Sequence, residues 1–304
     1  MTEDTSLGIG ELARLTGVPV RTIRFYCDEG ILDSARSAGG HRRFEAAAVE
    51  RLGLLRRLRG LGLGLPSIAR VLTGERSLAE AVTAERAALD VELAALAWRR
   101  ASLRAVEEAA PSARAARLDL LAAVQDGLVA RDALATFWRR CYLGAVSAET
   151  ADMFLSVTVP PPPRDPTPAQ VVAYAGLVTV AGDPALRRKL RARARLVADL
   201  VADESALHAG VGAACELARL LVLTGRPPGR GHALDRFVAA HASARRARDT
   251  PLFRRELVAH TATDRDPRLR RYWTLVGEVT GEPVTVGTSH HWLLDALEES
   301  AGGR

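Results

Sequence analysis

A chain of 304 residues with 48% hydrophobic side chains is long enough to form two domains with packed cores, which excludes an intrinsically disordered protein. Its formal net charge of +6 favours an anionic partner. Charged residues of both signs nevertheless make up 26% of the chain, which excludes a purely polycationic binding protein.

The cysteines and the first residues bear on redox state and location. Cys27, Cys141 and Cys215 lie far apart, without the paired spacing of a zinc site or a disulfide framework. The first five residues are polar and acidic, unlike a leader peptide, and no membrane-spanning segment is predicted. We therefore expect a cytoplasmic protein with reduced thiols, without a cofactor, a bound metal or a membrane partner.

Two short helices joined by a tight turn are predicted at residues 9–30. Gly17 is suited to end the first helix, and Pro19 is suited to the first position of the second. The apolar residues at helical spacing in the first helix are Ile9, Leu12, Ala13 and Leu15.

The second helix has one apolar residue at its middle and polar residues around it. Because Ile23 is expected in the core, Arg21 and Arg24 project from the first turns, near the positive end of the helix dipole. This is the pattern of a helix-turn-helix, in which the start of the second helix meets base edges and phosphates.

A hairpin with basic residues is predicted after the second helix, which is expected to stop at Gly30. Gly39-Gly40 is a hairpin signal, and the returning segment carries Arg42 and Arg43. The sequence therefore predicts a small basic wing beside the recognition helix.

The same residues resemble, in order and spacing, the MerR family of transcriptional regulators. Phe25, His41 and Phe44 stand where that family usually has tyrosines, so their hydroxyl contacts to phosphate are lost and Tyr26 is the aromatic contact carried over. The resemblance is strong over about the first quarter of the chain. The segments that carry it are Ile9-Gly10-Glu11-Leu12-Ala13, Thr22-Ile23-Arg24-Phe25-Tyr26, Gly30-Ile31-Leu32 and Gly40-His41-Arg42-Arg43-Phe44.

The resemblance implies a homodimer that docks two recognition helices in successive major grooves of double-stranded promoter DNA. It also implies that the protein distorts the promoter for RNA polymerase and responds to an effector. MerR metal sensors carry cysteines near the end of the dimer helix, and the region around Ala110 has none, so metal sensing is not expected. The residues expected at the DNA are Pro19, Val20, Arg21, Thr22, Arg24, Phe25, Tyr26, His41, Arg42 and Arg43.

Residues 45–60 are predicted to form a helix with arginines on its outer face. These arginines either touch the DNA backbone or only solvate that face, and the sequence leaves both interpretations open. They are Arg51, Arg56, Arg57 and Arg59.

Residues 77–110 contain neither glycine nor proline and predict one helix of roughly 50 Å. A single helix of that length needs a partner, and in the MerR family this position holds the antiparallel coiled coil of the dimer. Packing against the chain's own C-terminal domain is the alternative. The apolar residues assigned to dimerisation are Val82, Leu89, Leu93, Leu96 and Leu103.

The rest of the chain, beyond Pro111, carries no identifying motif and predicts a helical domain. Four dipeptides place a capping residue before a first-turn proline: Thr167-Pro168, Asp183-Pro184, Thr250-Pro251 and Asp266-Pro267. The predicted fold class is therefore mainly α. It comprises a winged helix-turn-helix domain at residues 1–76, a dimerisation helix at 77–110 and an all-α C-terminal domain at 111–304.

Aromatic and histidine side chains of the C-terminal domain are either ordinary core or the lining of a cavity for a small organic effector. Two other function classes stay open: a drug- or metabolite-sequestering protein that regulates its own promoter, and a regulator with an enzymatic C-terminal domain. No catalytic motif is present, and we expect no enzyme. The candidate ligand residues are Trp138, Tyr142, Tyr174, Tyr272, Trp273, His290, His291 and Trp292.

Overall fold

The computed structural model describes residues 6–141 and 146–302, and the chain divides into the compact units Met1–Leu93 and Ala94–Arg304. This division falls inside the long helix rather than at residues 76 and 110, because the two halves of the helix pack into different cores. Ala81 joins the core of the first unit, whereas Trp98 and Ala101 join a core of the second. The fold is mainly α, as predicted.

The first unit is a winged helix-turn-helix. Gly17 ends the first helix in a left-handed conformation with φ of 68°, and its N–H donates to the carbonyl of Ala13. Pro19 precedes the second helix as its extended cap, one position earlier than predicted. The elements are β1 (Leu7–Gly8), α1 (Ile9–Thr16), α2 (Val20–Asp28), β2 (Ala35–Arg36), β3 (Arg42–Phe44), α3 (Ala47–Gly60) and α4 (Leu65–Leu72).

The predicted wing is present as a three-stranded antiparallel sheet in the order β1-β3-β2. Arg36 pairs with Arg42 across the hairpin, and Leu7 pairs with Phe44 on the other side of β3. Gly40, with φ of 77°, allows the turn to close through its N–H to the carbonyl of Ser37. Phe44 is buried and anchors the wing to the core of the unit.

One long helix, α5 (Leu78–Glu107), follows the first unit's short helices. Its start is closed by a reciprocal cap: the Glu80 N–H donates to Ser77 Oγ, and the Ser77 N–H donates to Glu80 Oε2 at 2.9 Å. The N–H and the hydroxyl of Ser77 both donate to Glu80 Oε2, and these two hydrogen bonds lower the pKa of Glu80. The cap explains why the helix begins at Leu78.

The second unit continues with a further set of helices, and all four capped starts predicted from the sequence are confirmed. Thr167, Asp183, Thr250 and Asp266 each accept a backbone N–H at the first turn of a helix that begins with proline. The helices are α6 (Arg114–Ala122), α7 (Gly127–Cys141), α8 (Ala148–Thr158), α9 (Pro168–Gly182), α10 (Pro184–Leu200), α11 (Glu204–Leu223), α12 (His232–Ala244), α13 (Pro251–His260), α14 (Pro267–Thr280) and α15 (Val286–Gly302).

The core of the second unit consists of two hydrophobic clusters. The first cluster is built from the end of α5 together with α6 to α10 and α14. The second is built from α11, α12, α13 and α15. Trp98 fixes α5 in the first cluster, since its indole N–H donates to the carbonyl of Val124 at 3.1 Å and its ring meets Tyr174 edge-on at 5.4 Å.

The starts of α10 and α14 meet at one arginine. The Arg268 guanidinium lies 2.8 Å from Asp183 and 2.6 Å from Asp266, and Lys189 lies 3.0 Å from Asp266. Hydrogen bonds from Arg268 lower the pKa of both carboxyl groups. The two matching Asp-Pro segments therefore share a cation.

Helix α11 departs from the expectation that no stretch would be apolar enough to cross a membrane. An 18-residue window of this 20-residue helix has a mean hydropathy of 1.5, which reaches the length and composition of a span. Leu207, Ala214 and Ala218 of this helix are nevertheless buried in the protein. Leu217, Leu220 and Leu223 of the same helix are exposed, and 22% of the apolar window is buried in the protein.

Candidate nucleic-acid interface and ligand cavity

The first turns of α2 present two arginines to the solvent. Arg21 and Arg24 are exposed, whereas Ile23 between them is fully buried, as the sequence predicted. Neither guanidinium has an ion-pair or hydrogen-bond partner within residues 6–141 and 146–302. Phe25 beside them is 45% exposed, so the helix offers an aromatic ring and two cations on one surface.

The position of Arg21 is unfavourable for the helix itself. It occupies the first turn of α2, where no acidic residue is present and where a cation opposes the helix dipole, at a cost of about 0.3–1 kcal/mol. Residues 7–75 carry eleven arginines against seven acidic side chains. The net positive charge of these residues suits a phosphate-bearing partner, and so do the two unpaired guanidinium groups near the start of α2.

The other expected DNA residues of α2 are less accessible. Tyr26 is only 9% exposed and packs in the core of the unit, so the exposed aromatic ring is that of Phe25. Thr22 and Val20 are half-buried, and Pro19 is exposed at the helix start. Because Tyr26 points into the core, its role from this structure is to hold the recognition helix in place.

The two wing arginines are tied to the protein. Arg42 Nη2 lies 2.5 Å from Asp28 Oδ1, and Arg42 Nη1 donates to the carbonyl of Arg24. Arg43 Nε donates to Ser6 Oγ at 3.1 Å, and His41 is exposed at the turn. Arg42 therefore fastens the wing to the end of the recognition helix while part of its guanidinium stays accessible.

The arginines of α3 mostly serve local packing. Arg51 pairs with Asp33 at 2.8 Å, Arg56 donates to the carbonyl of Thr16, and Arg59 donates to the carbonyl of Leu63. Arg57 is exposed and has no such partner in the described part of the chain.

Helix α5 leaves an apolar face uncovered. Trp98, Ala101 and Ala105 are buried in the first cluster, but the leucines of the predicted seam are not. Leu96 and Leu103 are 55% and 64% exposed, so they do not pack against the chain's own C-terminal helices. The other seam residues, Val82, Leu89 and Leu93, are also exposed.

A cavity of about 280 Å³ lies between the two hydrophobic clusters of the second unit. Aromatic rings of the first cluster form one wall, with Trp138, Phe154 and Trp273. Residues of α11 and α15, from the second cluster, form the opposite wall. Trp273 stands directly over Gly287, because a Cβ built on that glycine would lie 1.8 Å from the indole ring.

Polar groups lie along the same cavity. His291 Nδ1 lies 2.8 Å from the carbonyl of Gly287, and Asp264 Oδ1 lies 2.7 Å from Arg193 Nε. His291 and Asp264 are only 3% and 4% exposed. Within the residues that the structure describes, His291 Nε2 and Asp264 Oδ2 have no hydrogen-bond partner.

The cavity histidines are neutral near pH 7. Burial lowers the pKa of His290 to about 4, and burial also lowers the pKa of His208 and His291. In neutral His291, Nδ1 must carry the proton because it faces a carbonyl oxygen, so Nε2 is an acceptor. In the described ranges, no three His, Cys, Asp or Glu side chains are placed to hold a metal ion.

The structure brings together half of the predicted ligand residues. Trp138, Trp273, His290 and His291 line the cavity. Phe154, His208, Asp264 and Gly287 also line it, and sequence reasoning missed them because no local pattern connects residues so distant in the chain.

The remaining predicted ligand residues lie elsewhere. Tyr174 is fully buried and donates to the carbonyl of Pro160, and Tyr272 bridges the indole N–H of Trp138 and the carbonyl of Thr158. Trp292 donates to the carbonyl of Arg226 at the edge of the second cluster. Tyr142 lies outside the described residues.

The helix-turn-helix, its basic first turns and the adjoining wing define a DNA-binding domain of the winged helix-turn-helix class. Residues 7–75 match the family described as MerR HTH family regulatory protein. This part of the chain is therefore a MerR-family DNA-binding domain, the type of domain used in transcription regulation.

Curated proteins similar to this chain share only part of its length. The nodulation protein NolA of Bradyrhizobium sp. (strain NC92) is 38% identical over 97 residues, which cover 32% of this chain and 41% of NolA. The transcriptional regulator HmrR of Rhizobium leguminosarum bv. viciae is 36% identical over 66 residues, 22% of this chain and 51% of HmrR. The transcriptional activator TipA of Streptomyces coelicolor is 41% identical over 68 residues, 22% of this chain and 27% of TipA.

The chain thus spans about two fifths of the length of the NolA proteins it matches. No solved structure matches the chain.

Proposed function

We propose that the chain is a MerR-type transcriptional regulator that binds promoter DNA as a homodimer and responds to a small organic effector held in the second unit. The observation that carries this proposal is the pair of unpaired arginines, Arg21 and Arg24, on the exposed first turns of a MerR-family recognition helix. Arg42 and Arg43 on the wing supply cations for the flanking DNA backbone.

The homodimer is supported by the uncovered leucines of α5. A second copy packed antiparallel along this helix would bury Leu89, Leu93 and Leu96, which a monomer leaves in water. Two recognition helices would then read half-sites about 34 Å apart, one turn of B-DNA.

The effector is supported by the position of its cavity. One cavity wall belongs to the cluster in which Trp98 fixes the end of α5. A ligand that binds one packing arrangement of this cluster better than another would bias the position of α5. A shift of α5 would in turn change how the dimer distorts promoter DNA for RNA polymerase.

Selection of binding sites from random double-stranded DNA, followed by fluorescence anisotropy, tests the DNA-binding proposal. We expect a near-palindromic site, and we expect Arg21→Ala to reduce discrimination between that site and random DNA by about 1–3 kcal/mol. Arg188→Ala removes an exposed arginine from α10 and is the matched control. Unchanged discrimination in Arg21→Ala, or no sequence preference in the parent chain, would contradict the proposal.

A further inference from the structure

The cavity of the second unit has the size for a ligand of about two rings. A buried apolar cavity of about 150 Å³ holds one benzene molecule, so about 280 Å³ leaves room for two rings. Trp138, Phe154 and Trp273 provide aromatic surfaces on one side. Gly212 on α11 contributes no side-chain bulk and faces open space, whereas Gly287 is covered by the Trp273 ring.

Two buried polar atoms of residues that line the cavity are hydrogen-bond acceptors. His291 Nε2 carries a lone pair because its Nδ1 proton is used on Gly287, and Asp264 Oδ2 has only lone pairs. Both atoms are buried, and no partner for either lies within the described residues. A buried acceptor left without a partner is unfavourable, and a ligand donor would remove that penalty.

The charges around the cavity disfavour an anion. The carboxylate of Asp264 is balanced by Arg193, which lies 2.7 Å away and is itself largely buried. The histidines are neutral because burial lowers their pKa values. The remaining charged residue of the lining, Glu216, is exposed and negative. A ligand carboxylate or phosphate would therefore meet negative charge without a cation to bind it.

We propose that this cavity binds a neutral, flat aromatic molecule of about two rings that carries a hydroxyl or N–H donor, with the donor directed at His291 and Asp264. The inference deepens the effector part of the proposed function and names the class of ligand. It concerns binding by the second unit, and its test does not require DNA.

Three naphthalene derivatives of nearly equal size separate the contributions of the rings, the hydrogen-bond donor and the ligand charge to binding. 2-Naphthol has the rings and the donor, 2-methylnaphthalene has the rings without the donor, and 2-naphthoate is an anion. Isothermal titration calorimetry of the full chain at pH 7.5 should give one 2-naphthol per chain. 2-Methylnaphthalene, measured by displacement of 2-naphthol, should bind at least tenfold more weakly, and 2-naphthoate should bind at least tenfold more weakly as well.

Filling the cavity provides the matched variants. Gly212 lines the cavity on α11, and a Cβ there meets no atom within 4 Å, so the side chain added in Gly212→Leu starts in open space. Ala213→Leu adds similar bulk at the next, exposed residue. Val157→Trp is a second blocking variant, because Val157 lines the cavity yet is 41% exposed and carries little of the core.

Gly212→Leu and Val157→Trp should each weaken 2-naphthol binding at least tenfold, while Ala213→Leu leaves it unchanged. Melting followed by circular dichroism identifies a variant that fails to fold. In that case, 2-naphthol binding by the other blocking variant tests the inference. Absence of 2-naphthol binding, equal affinity for 2-methylnaphthalene, or binding unaffected by a folded blocking variant would overturn the inference. A chain that binds 2-naphthol as expected but no specific DNA would instead overturn the proposed function alone.

Discussion

The two units use their arginines differently. In the first unit, Arg21 and Arg24 are exposed without a partner in the described residues, and Arg21 lies in the first helical turn, where its charge is unfavourable. In the second unit, Arg193 and Arg268 lie against Asp264, Asp183 and Asp266. Arg193 and Arg268 therefore join packed elements of the second unit, whereas Arg21 and Arg24 of the first unit are left available for an external anion.

The two units also differ in how their sites are assembled. The proposed DNA-binding surface comes from one continuous segment, residues 9–44. The cavity collects side chains from residues 138 to 291 on separate helices. A surface site can be made from a local pattern of exposed residues, but a cavity needs walls from several packed elements. The four predictions that follow test this contrast.

The largest effect is expected from a charge on the uncovered face of α5. Leu96→Asp or Leu89→Asp would place an unpaired charge in the proposed dimer seam, at a cost of about 3 kcal/mol or more, which weakens dimerisation by over a hundredfold. DNA binding should fall with dimerisation, while ligand binding by the second unit should not. Sedimentation velocity at micromolar concentration measures the first effect.

Arg100→Ala is the control on the same helix, because Arg100 is exposed and pairs with Asp165 of its own chain. A Leu96→Asp variant that stays dimeric would place the interface elsewhere.

The next largest effect is expected at the cavity wall. Gly287→Leu would force the Trp273 ring to move, since a Cβ at Gly287 lies 1.8 Å from it, and overpacking of this kind costs about 1–3 kcal/mol or more. Urea unfolding should show the loss in the second unit. Gly212→Ala is the control at an open position, where it should leave stability unchanged or slightly raised. Equal stability of Gly287→Leu and Gly212→Ala would contradict close packing of the Trp273 ring on Gly287.

A pH-dependent loss of stability should be confined to the second unit. The unfolded pKa of histidine is about 6.5, and the folded pKa of His290 is about 4, so between these values the unfolded chain binds a proton that the folded chain does not. The free energy of unfolding should therefore decrease as the pH is lowered, and His290 should account for roughly 1 kcal/mol of that loss between pH 6.5 and 5.5. Thermal melting across that range measures it.

His290→Gln should reduce this pH dependence, and His232→Gln, at an exposed position of α12, should not. His41, the only histidine of the first unit, is exposed, so that unit should show no matching loss. An unchanged pH dependence of stability in His290→Gln would show that His290 does not cause the loss.

The smallest effect is expected at the wing. Arg42→Ala should weaken binding to all DNA sequences by about 1 kcal/mol and flatten the salt dependence by about one unit, because a phosphate contact releases a counterion. Asp28→Asn breaks the pair with Arg42 but keeps the cation, so the salt slope should stay. Fluorescence anisotropy across a salt series compares the two. Identical slopes in Arg42→Ala and the parent would limit Arg42 to fastening the wing.

The first unit was largely predictable because its signals are local. Gly17 and Gly40 mark turns through left-handed conformations, and Ile23 marks the buried side of the recognition helix. Burial of Tyr26 and the pairing of Arg42 with Asp28 were not predicted, since both depend on how the wing and the helix pack.

Sequence alone determined the mainly α-helical class and the helix-turn-helix with its wing. It also determined the four helix starts at Thr167, Asp183, Thr250 and Asp266. These features were readable because caps, turns and helical periodicity act over a few neighbouring residues. Tertiary structure alone decided which aromatic residues line the cavity and which are core. Trp138 lines the cavity, whereas its hydrogen-bond partner Tyr272 does not. That choice depends on how helices more than a hundred residues apart in the chain come together, and short-range sequence patterns carry no information about it.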